Sequence, residues 1–362
     1  IDLKNFHAES HDKIIIPFLV SSEAPPINNK PITYDDDVCS TIRLNKNNLY
    51  KIFSFADHFI IDNQKIDLKK WINSNYRPTP TIIQAAQALY SGHKVKNISY
   101  SDASAYNIDK TSNEILAIIE KTKKEKAKSI CFITGVPGAG KTLVGLSIVN
   151  QTQDIKAYKE NAVYLSGNYP LVAVLQEALA MDLVSREDDV KIGDARRKSN
   201  TLIQNIHRFR DEYLIDENKP HEKIVIFDEA QRAWSKAKLS NHMKDKKGLE
   251  NFNKSEPEIL MEIMNRHTDW AVIICLVGGG QEIFAGETGM PEWFSSLSKK
   301  FPDWSVWVSD KIDQKEYTRD KDLFSQISSN KLNIKKNLHL STSIRSFRSE
   351  KVSDFVKALL DC

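Results

Sequence analysis

Residues 135–142 read GVPGAGKT, a run that gathers backbone N–H groups, an ammonium and a hydroxyl in one short loop. It matches G-x-x-x-x-G-K-[ST] in full, through Gly135, Gly140, Lys141 and Thr142. The loop Gly135, Val136, Pro137, Gly138, Ala139, Gly140 can turn its N–H groups inward around phosphates. Lys141 then sets a point charge on the β- and γ-phosphates, and the Thr142 hydroxyl takes Mg²⁺. ATP with Mg²⁺ is the expected ligand. A second constellation follows at 223–231, KIVIFDEAQ, where an apolar run ends in Asp228 and Glu229. Successive strand side chains point opposite ways, so one carboxylate is expected to face the metal and its neighbour the attacking water. Asp228 would orient Mg²⁺ and Glu229 would polarise the water, as phosphoryl transfer requires. Adjacent Asp and Glu argue against small-molecule P-loop kinases and GTPases. A third run, LVGGGQEIF at 276–284, carries Gln281 to the carboxyl end of an apolar stretch. In a parallel sheet that edge holds the ligands, so Gln281 is expected beside the γ-phosphate or the water.

These groups need a scaffold. Strands are expected at Ser129–Thr134, Ala162–Gly167, Lys223–Asp228 and Ala271–Gly278, with helices at Thr142–Asn150 and Leu171–Ala180. Strands alternating with helices imply an α/β fold with a mostly parallel sheet covered on both faces. Thr111 followed by Glu114 reads as a capping box opening a helix through Ile115, Leu116, Ile118 and Ile119. Its lysine-rich end suits the helix dipole. Residues 1–110 read as a smaller α/β N-terminal region with a buried strand at Ile14–Val20, and 111–362 as the main domain.

The bulk composition narrows the class. The chain has 362 residues, 41% of them hydrophobic, enough for two domains. No apolar run approaches the roughly 18 residues of a membrane span. The four cysteines show no paired spacing; Cys131 and Cys275 lie in apolar runs, as small hydrophobes do in a reducing cytoplasm. With 51 basic and 48 acidic residues, net charge does not by itself point to nucleic acid. The basic runs at Lys121–Lys128, Arg196–Lys198 and Lys244–Lys247 read as solvated faces.

Taken in order, these runs resemble superfamily 1 helicases. GVPGAGKT is similar to motif I, VYLSGNYP (163–170) to motif Ia, FDEAQ to motif II and LVGGGQEIF to motif III. LSTSIRSFRSEKVSDFV (340–356) resembles motif IV, which implies that Arg345 reaches the γ-phosphate. FDEAQRAW (227–234) and LVGGGQEIFAGETGMPEW (276–293) are closer to bacterial DNA/RNA helicase domain proteins related to the helicase part of Schlafen proteins. The resemblance covers roughly 75–362 and implies a RecA-like P-loop NTPase. Two departures stand out: the acid of motif III is absent, with Gly279 and Gly280 preceding Gln281, and no adenine-reading glutamine motif precedes Lys141. The chain ends just past the motif-IV-like segment, before any motifs V and VI, so a missing second lobe is expected.

The resemblance also implies single-stranded DNA or RNA across the top of the sheet, with Ser166, Asn168 and Tyr169 as contacts. The run NIHRFRDEY (205–213) adds His207, Arg208 and Arg210. A second resemblance, of IDLK (1–4) to a PD-(D/E)xK nuclease core, would use Asp2 and Lys4, although an ordinary strand with flanking charges explains them as well. The leading expectation is an ATP-dependent nucleic-acid motor or its ATPase lobe. A regulatory ATPase switch with a protein partner, and a nuclease-associated ATPase in phage defence, stay open.

Overall fold

The computed structural model describes residues 7–10, 13–25, 34–35, 38–57, 66–74, 82–90, 102–136, 138–154, 161–187, 189–279, 286–318 and 322–341. The chain forms two compact units, Ile1–Thr79 and Pro80–Cys362.

The smaller unit is a mixed α/β piece. Strand β1 (Phe18–Val20) pairs parallel with β4 (Ile42–Leu44), while β2 (Tyr34–Asp35) pairs antiparallel with β3 (Val38–Cys39). Two short helices follow, α1 (Lys51–Asp57) and α2 (Leu68–Ile72). The expected buried strand at Ile14–Val20 is only three residues long, and Leu19 and Val20 face solvent, so its apolar run is not a core strand. The interior instead uses β4, where Ile42 and Leu44 are buried and Arg43 between them is exposed. His7 and Trp71 both hydrogen-bond to the Ser10 hydroxyl, which is fully enclosed.

The larger unit starts with α3 (Ile82–Tyr90), some thirty residues before the boundary expected near 110. Ala85, Ala86 and Leu89 bury one face of α3 in this unit's core. Side-chain amides lock it there: Gln87 donates to the Ala178 carbonyl at 3.3 Å and Asn150 to the Leu89 carbonyl at 2.9 Å. Helix α4 (Asp102–Lys124) runs straight through the proposed capping box. Thr111 lies inside the helix and donates to the Asn337 carbonyl at 2.7 Å. Glu114 accepts from Asn337 at 2.8 Å and pairs with Lys335 at 3.2 Å. Tertiary partners took the groups that the local pattern assigned to a cap.

An eight-stranded parallel sheet fills the centre, in the order β11-β10-β5-β9-β8-β6-β7, with β12 beside the end of β5. The middle strands are β5 (Lys128–Gly135), β9 (Ala271–Gly278), β8 (Glu222–Asp228) and β6 (Asn161–Ser166). They are almost entirely buried, as strands covered on both faces must be. Their alternation sorts two cores. Cys131, Ile133, Ile226, Ile274 and Leu276 face one side, with α3, α4, α5 (Lys141–Asp154) and α6 (Tyr169–Arg186). Phe132, Val225, Phe227, Ile273 and Cys275 face the other, with α8 (Ile206–Ile215), α9 (Lys236–Lys247), α10 (Glu256–Asn265) and α11 (Met290–Lys300). Helix α7 (Ile192–Leu202) leads into the short edge strand β7 (Ile203–Asn205). Beyond the sheet centre stand β10 (Ser305–Ser309) and β11 (Leu332–Lys335), two strands beyond those expected from the apolar runs; helix α12 (Lys315–Thr318) lies between them in the chain, and β12 (His339–Leu340) is the last described strand. No described helix is long and apolar enough to cross a membrane.

One glycine sets how closely α5 approaches the sheet. A Cβ at Gly145 would lie 2.9 Å from both Leu276 Cδ1 and Tyr164 Cε2. The absence of that atom brings the helix that follows the loop down onto β9 and β6, and so holds the loop at the sheet edge.

Candidate active site

The P-loop leaves β5 at Gly135 and enters α5 at Lys141. Gly138 and Gly140 have φ of 76° and 87°, a left-handed backbone that other residues reach only with strain. Gly135 is needed for a different reason: a Cβ there would lie 2.8 Å from Leu340 Cβ on β12. The Lys141 side chain is folded into the loop and donates to the carbonyls of Gly135, at 2.9 Å, and Val136, at 3.4 Å. Pro137 lies outside the described residues.

Parallel pairing carries the second constellation to the same edge. Gly135 lies opposite Gly278 on β9, and β9 lies beside β8, whose last residue is Asp228. Asp228 and Thr142 therefore meet, 86 residues apart in sequence, with the threonine hydroxyl 3.2 Å from a carboxylate oxygen. Tyr164, fully buried on β6, donates its hydroxyl to the same oxygen. Burial pushes the Asp228 carboxyl up to about 6, helped by the neighbouring charge of Glu229 and opposed by Tyr164, Thr142 and Lys141. A hydroxyl and a carboxylate side by side form a hard oxygen donor set, which fits a cation such as Mg²⁺.

That shift has a measurable consequence. A folded-state value raised above the ordinary 3.8 means that the ionised carboxylate destabilises the metal-free fold. The penalty is absent while both states are protonated, grows as pH rises between 3.8 and about 6, and is complete above that. Asp228→Asn should therefore stabilise the Mg²⁺-free protein near neutral pH by on the order of 1–3 kcal/mol. Thermal unfolding checks it: the variant's midpoint should exceed the wild type's at neutral pH, and the gap should close toward pH 4. A lower midpoint at neutral pH would show that the carboxylate is not strained by burial.

Glu229 departs from the expected strand geometry. β8 ends at Asp228, and Glu229 sits at φ 55°, ψ 46° in a left-handed turn. The chain kinks after Asp228, so strand alternation does not set the Glu229 side chain. Such a conformation costs a non-glycine residue about 1–3 kcal/mol and survives only where neighbours over-determine it. They do so here. Arg232 N–H donates to the Glu229 carbonyl at 2.8 Å, Glu229 N–H to Asp228 at 3.1 Å, and the buried Trp293 indole N–H to the Ala230 carbonyl at 3.0 Å. The Gln231 side chain donates to the Glu229 carboxylate and accepts from Gly278 N–H at 3.0 Å.

Beyond Glu229 opens a cleft of about 510 Å³, running from Thr142 and Asp228 past Asn168 and His207 to Trp234 and Lys238. One wall is a buried ionic knot. Arg210 donates to Glu256 at 2.8 Å and to Asp211 at 2.8 Å, and His207 lies 3.1 Å from Glu256. Trp234 N–H donates to the other Glu256 oxygen at 3.0 Å, and burial's upward push on Glu256 is overcome by these partners, so its carboxyl is held low. The Trp234 ring has His207 at 4.2 Å and the Lys238 ammonium at 4.5 Å from its centroid.

The residues expected to touch nucleic acid divide on this geometry. Asn168 caps α6 by accepting from Leu171 N–H at 3.3 Å, and Tyr169 beside it is 69% exposed. Arg208 is exposed and His207 lines the cleft. Ser166 is buried and accepts from Asn168 N–H at 3.2 Å, so it shapes the turn. Arg210, expected at the nucleic-acid surface, is instead 1% exposed and bound into the ionic knot. Gln281, Arg345, Asp2 and Lys4 lie outside the described residues. Gln231, Trp234 and Lys238 had no expected role. The first two stand within FDEAQRAW (227–234), but nothing in spacing says where their side chains land.

A phosphate loop on β5, a neighbouring strand β9, and an acidic β8 end beyond it define a RecA-like P-loop fold. Residues 128–362 match the family described as Schlafen group 3, DNA/RNA helicase domain, and the chain belongs to that family. No curated protein matches the chain.

Proposed function

We propose that the larger unit is an ATP-hydrolysing lobe of superfamily 1 helicase type, as in the bacterial proteins the sequence resembles, and that it acts on single-stranded DNA or RNA. The meeting of Lys141, Thr142, Asp228 and Glu229 at one sheet edge carries this reading. In it, Thr142 and Asp228 hold Mg²⁺, which neutralises phosphate charge when bound. Lys141 leaves the loop carbonyls for the β- and γ-phosphates. Glu229, held by its turn and by the Gln231 amide, orients the attacking water.

The cleft supports the nucleic-acid side. It adjoins Glu229, and two of its carboxylates are paired with arginines, Glu256 with Arg210 and Glu287 with Arg232 at 3.2 Å. Lys238 contributes a cation next to an aromatic ring, the combination that holds single strands by phosphate contact and stacking. Single-stranded DNA or RNA should therefore raise the ATPase rate several-fold. Lys238→Ala should lower the salt dependence of strand binding by about 0.7 in the log–log slope, the share of one phosphate contact. ATPase measured with and without strand tests the reading. An active but unresponsive enzyme would favour a regulatory switch that binds a protein partner through the same cleft.

A further inference from the structure

Gln231 sits at the centre of a polar rung that the roles above leave unused. It lies in the short 3-10 turn Ala230–Arg232 and is 3% exposed. Both ends of its carboxamide are spent. Nε2 donates to a Glu229 carboxylate oxygen, and Oε1 accepts from Gly278 N–H at 3.0 Å. The flipped amide would set oxygen against carboxylate and N–H against N–H, so the chemistry of the partners dictates the orientation. The Gln231 main-chain carbonyl is also held, by Gly289 N–H at 3.1 Å.

The far end of the rung is equally confined. Gly278 is the last residue of β9, the strand between the P-loop strand and the Asp228 strand. At Gly279, just beyond it, a Cβ would come within 2.9 Å of Glu316 and 2.8 Å of the Tyr317 hydroxyl. Burial, with Glu316 beside it, pushes that phenol upward, so it stays a neutral hydroxyl in this packing. The end of β9 is thus wedged between α12 on one side and the Gln231 amide on the other. Any shift of this strand end pulls on the same carboxamide that orients Glu229.

We propose that Gln231 is a positioning residue for hydrolysis: it fixes the Glu229 carboxylate and couples it to the end of β9. The proposal rests on the reading of Glu229 as the water-orienting base. Glu229 has a backbone that few residues adopt and a flexible side chain. Without the amide its carboxylate samples several rotamers, and a displacement of 1 Å at a reacting centre costs about a hundredfold in rate.

Three variants and a double variant test it, with ATP turnover and ATP affinity read in parallel. Gln231→Met keeps the volume and removes both hydrogen bonds. It should lower kcat by about ten- to a hundredfold with KM for ATP nearly unchanged. Gln231→Glu keeps the acceptor for Gly278 N–H but sets a second carboxylate against Glu229, so its kcat should fall at least as far. A purely structural rung predicts the opposite order, with the Glu variant near wild type. Glu229→Gln alone should lower turnover by about 10²–10⁴, and adding Gln231→Met should lower the residual rate no further, because one residue acts through the other. Should the Met variant fold poorly, the isosteric Glu variant and its order relative to wild type still decide the question. Turnover by either Gln231 variant within about twofold of wild type, or an additive loss in the double variant, would overturn the proposal. If Glu229→Gln retains turnover, Gln231 has no base to position and the proposal falls while the ATPase reading stands. A wild-type protein with no ATPase activity would bring down both.

Discussion

Lys141→Ala should abolish ATP hydrolysis and weaken nucleotide binding. Lys141 opens α5 and is 8% exposed, its ammonium held within the loop by the Gly135 and Val136 carbonyls. On the proposed reading, phosphates entering the loop would replace those carbonyls as its partner, with the charge already near its working position. In a shielded site such a charge is worth far more than in water, and losing it should lower kcat by at least about a hundredfold. Binding should weaken as well, because the same contact exists in the ground state. The helix tolerates the change, since alanine is the best helix former and the position is the first of the helix. Phosphate release and a nucleotide titration, with far-ultraviolet circular dichroism as a folding control, decide it. Activity within a few-fold of wild type would remove the loop from catalysis.

Glu229→Gln should separate binding from turnover. The amide keeps the size and shape of the side chain but loses the charge that, on the proposed reading, would draw a proton from water, an effect of about 10²–10⁴ in rate. Nucleotide affinity should hold or rise. The Glu229 charge is one of the causes that push Asp228 upward, so its removal lowers the Asp228 carboxyl and favours the ionised form a cation needs. Trapped ATP, measured by filter binding alongside single-turnover hydrolysis, checks both halves. Equal loss of binding and turnover would assign Glu229 to cation binding or to the fold.

The two substitutions test residues of unequal legibility. Lys141 belongs to eight contiguous residues whose conformation is set by their own glycines and by the strand and helix around them. The β9 strand, Ala271–Gly278, has the bounds that its apolar run implied, because a strand buried on both faces has no polar residue to blur its ends. Glu229 was placed by type but not by geometry, since its left-handed turn depends on Arg232, Gln231 and Trp293. Where apolar residues alone were used as the guide, the small unit misled: Leu19 and Val20 carry the strand pattern yet lie exposed.

What the amino-acid sequence determines by itself is local: the phosphate loop, the acidic strand end, and the central strands with their two-sided burial. Each rests on residues within one element, where period, burial and turn chemistry act over a few positions. The tertiary structure alone decides the neighbours. It sets β9 between β5 and β8, which brings Thr142 to Asp228, and it buries Arg210, whose type suggests a surface contact. It also joins Gln231 to Gly278, 47 residues away. Parallel strands pair only after long crossovers, and a polar side chain takes whichever partner the packed sheet delivers to it. No spacing within the motif records that partner, because it comes from another strand.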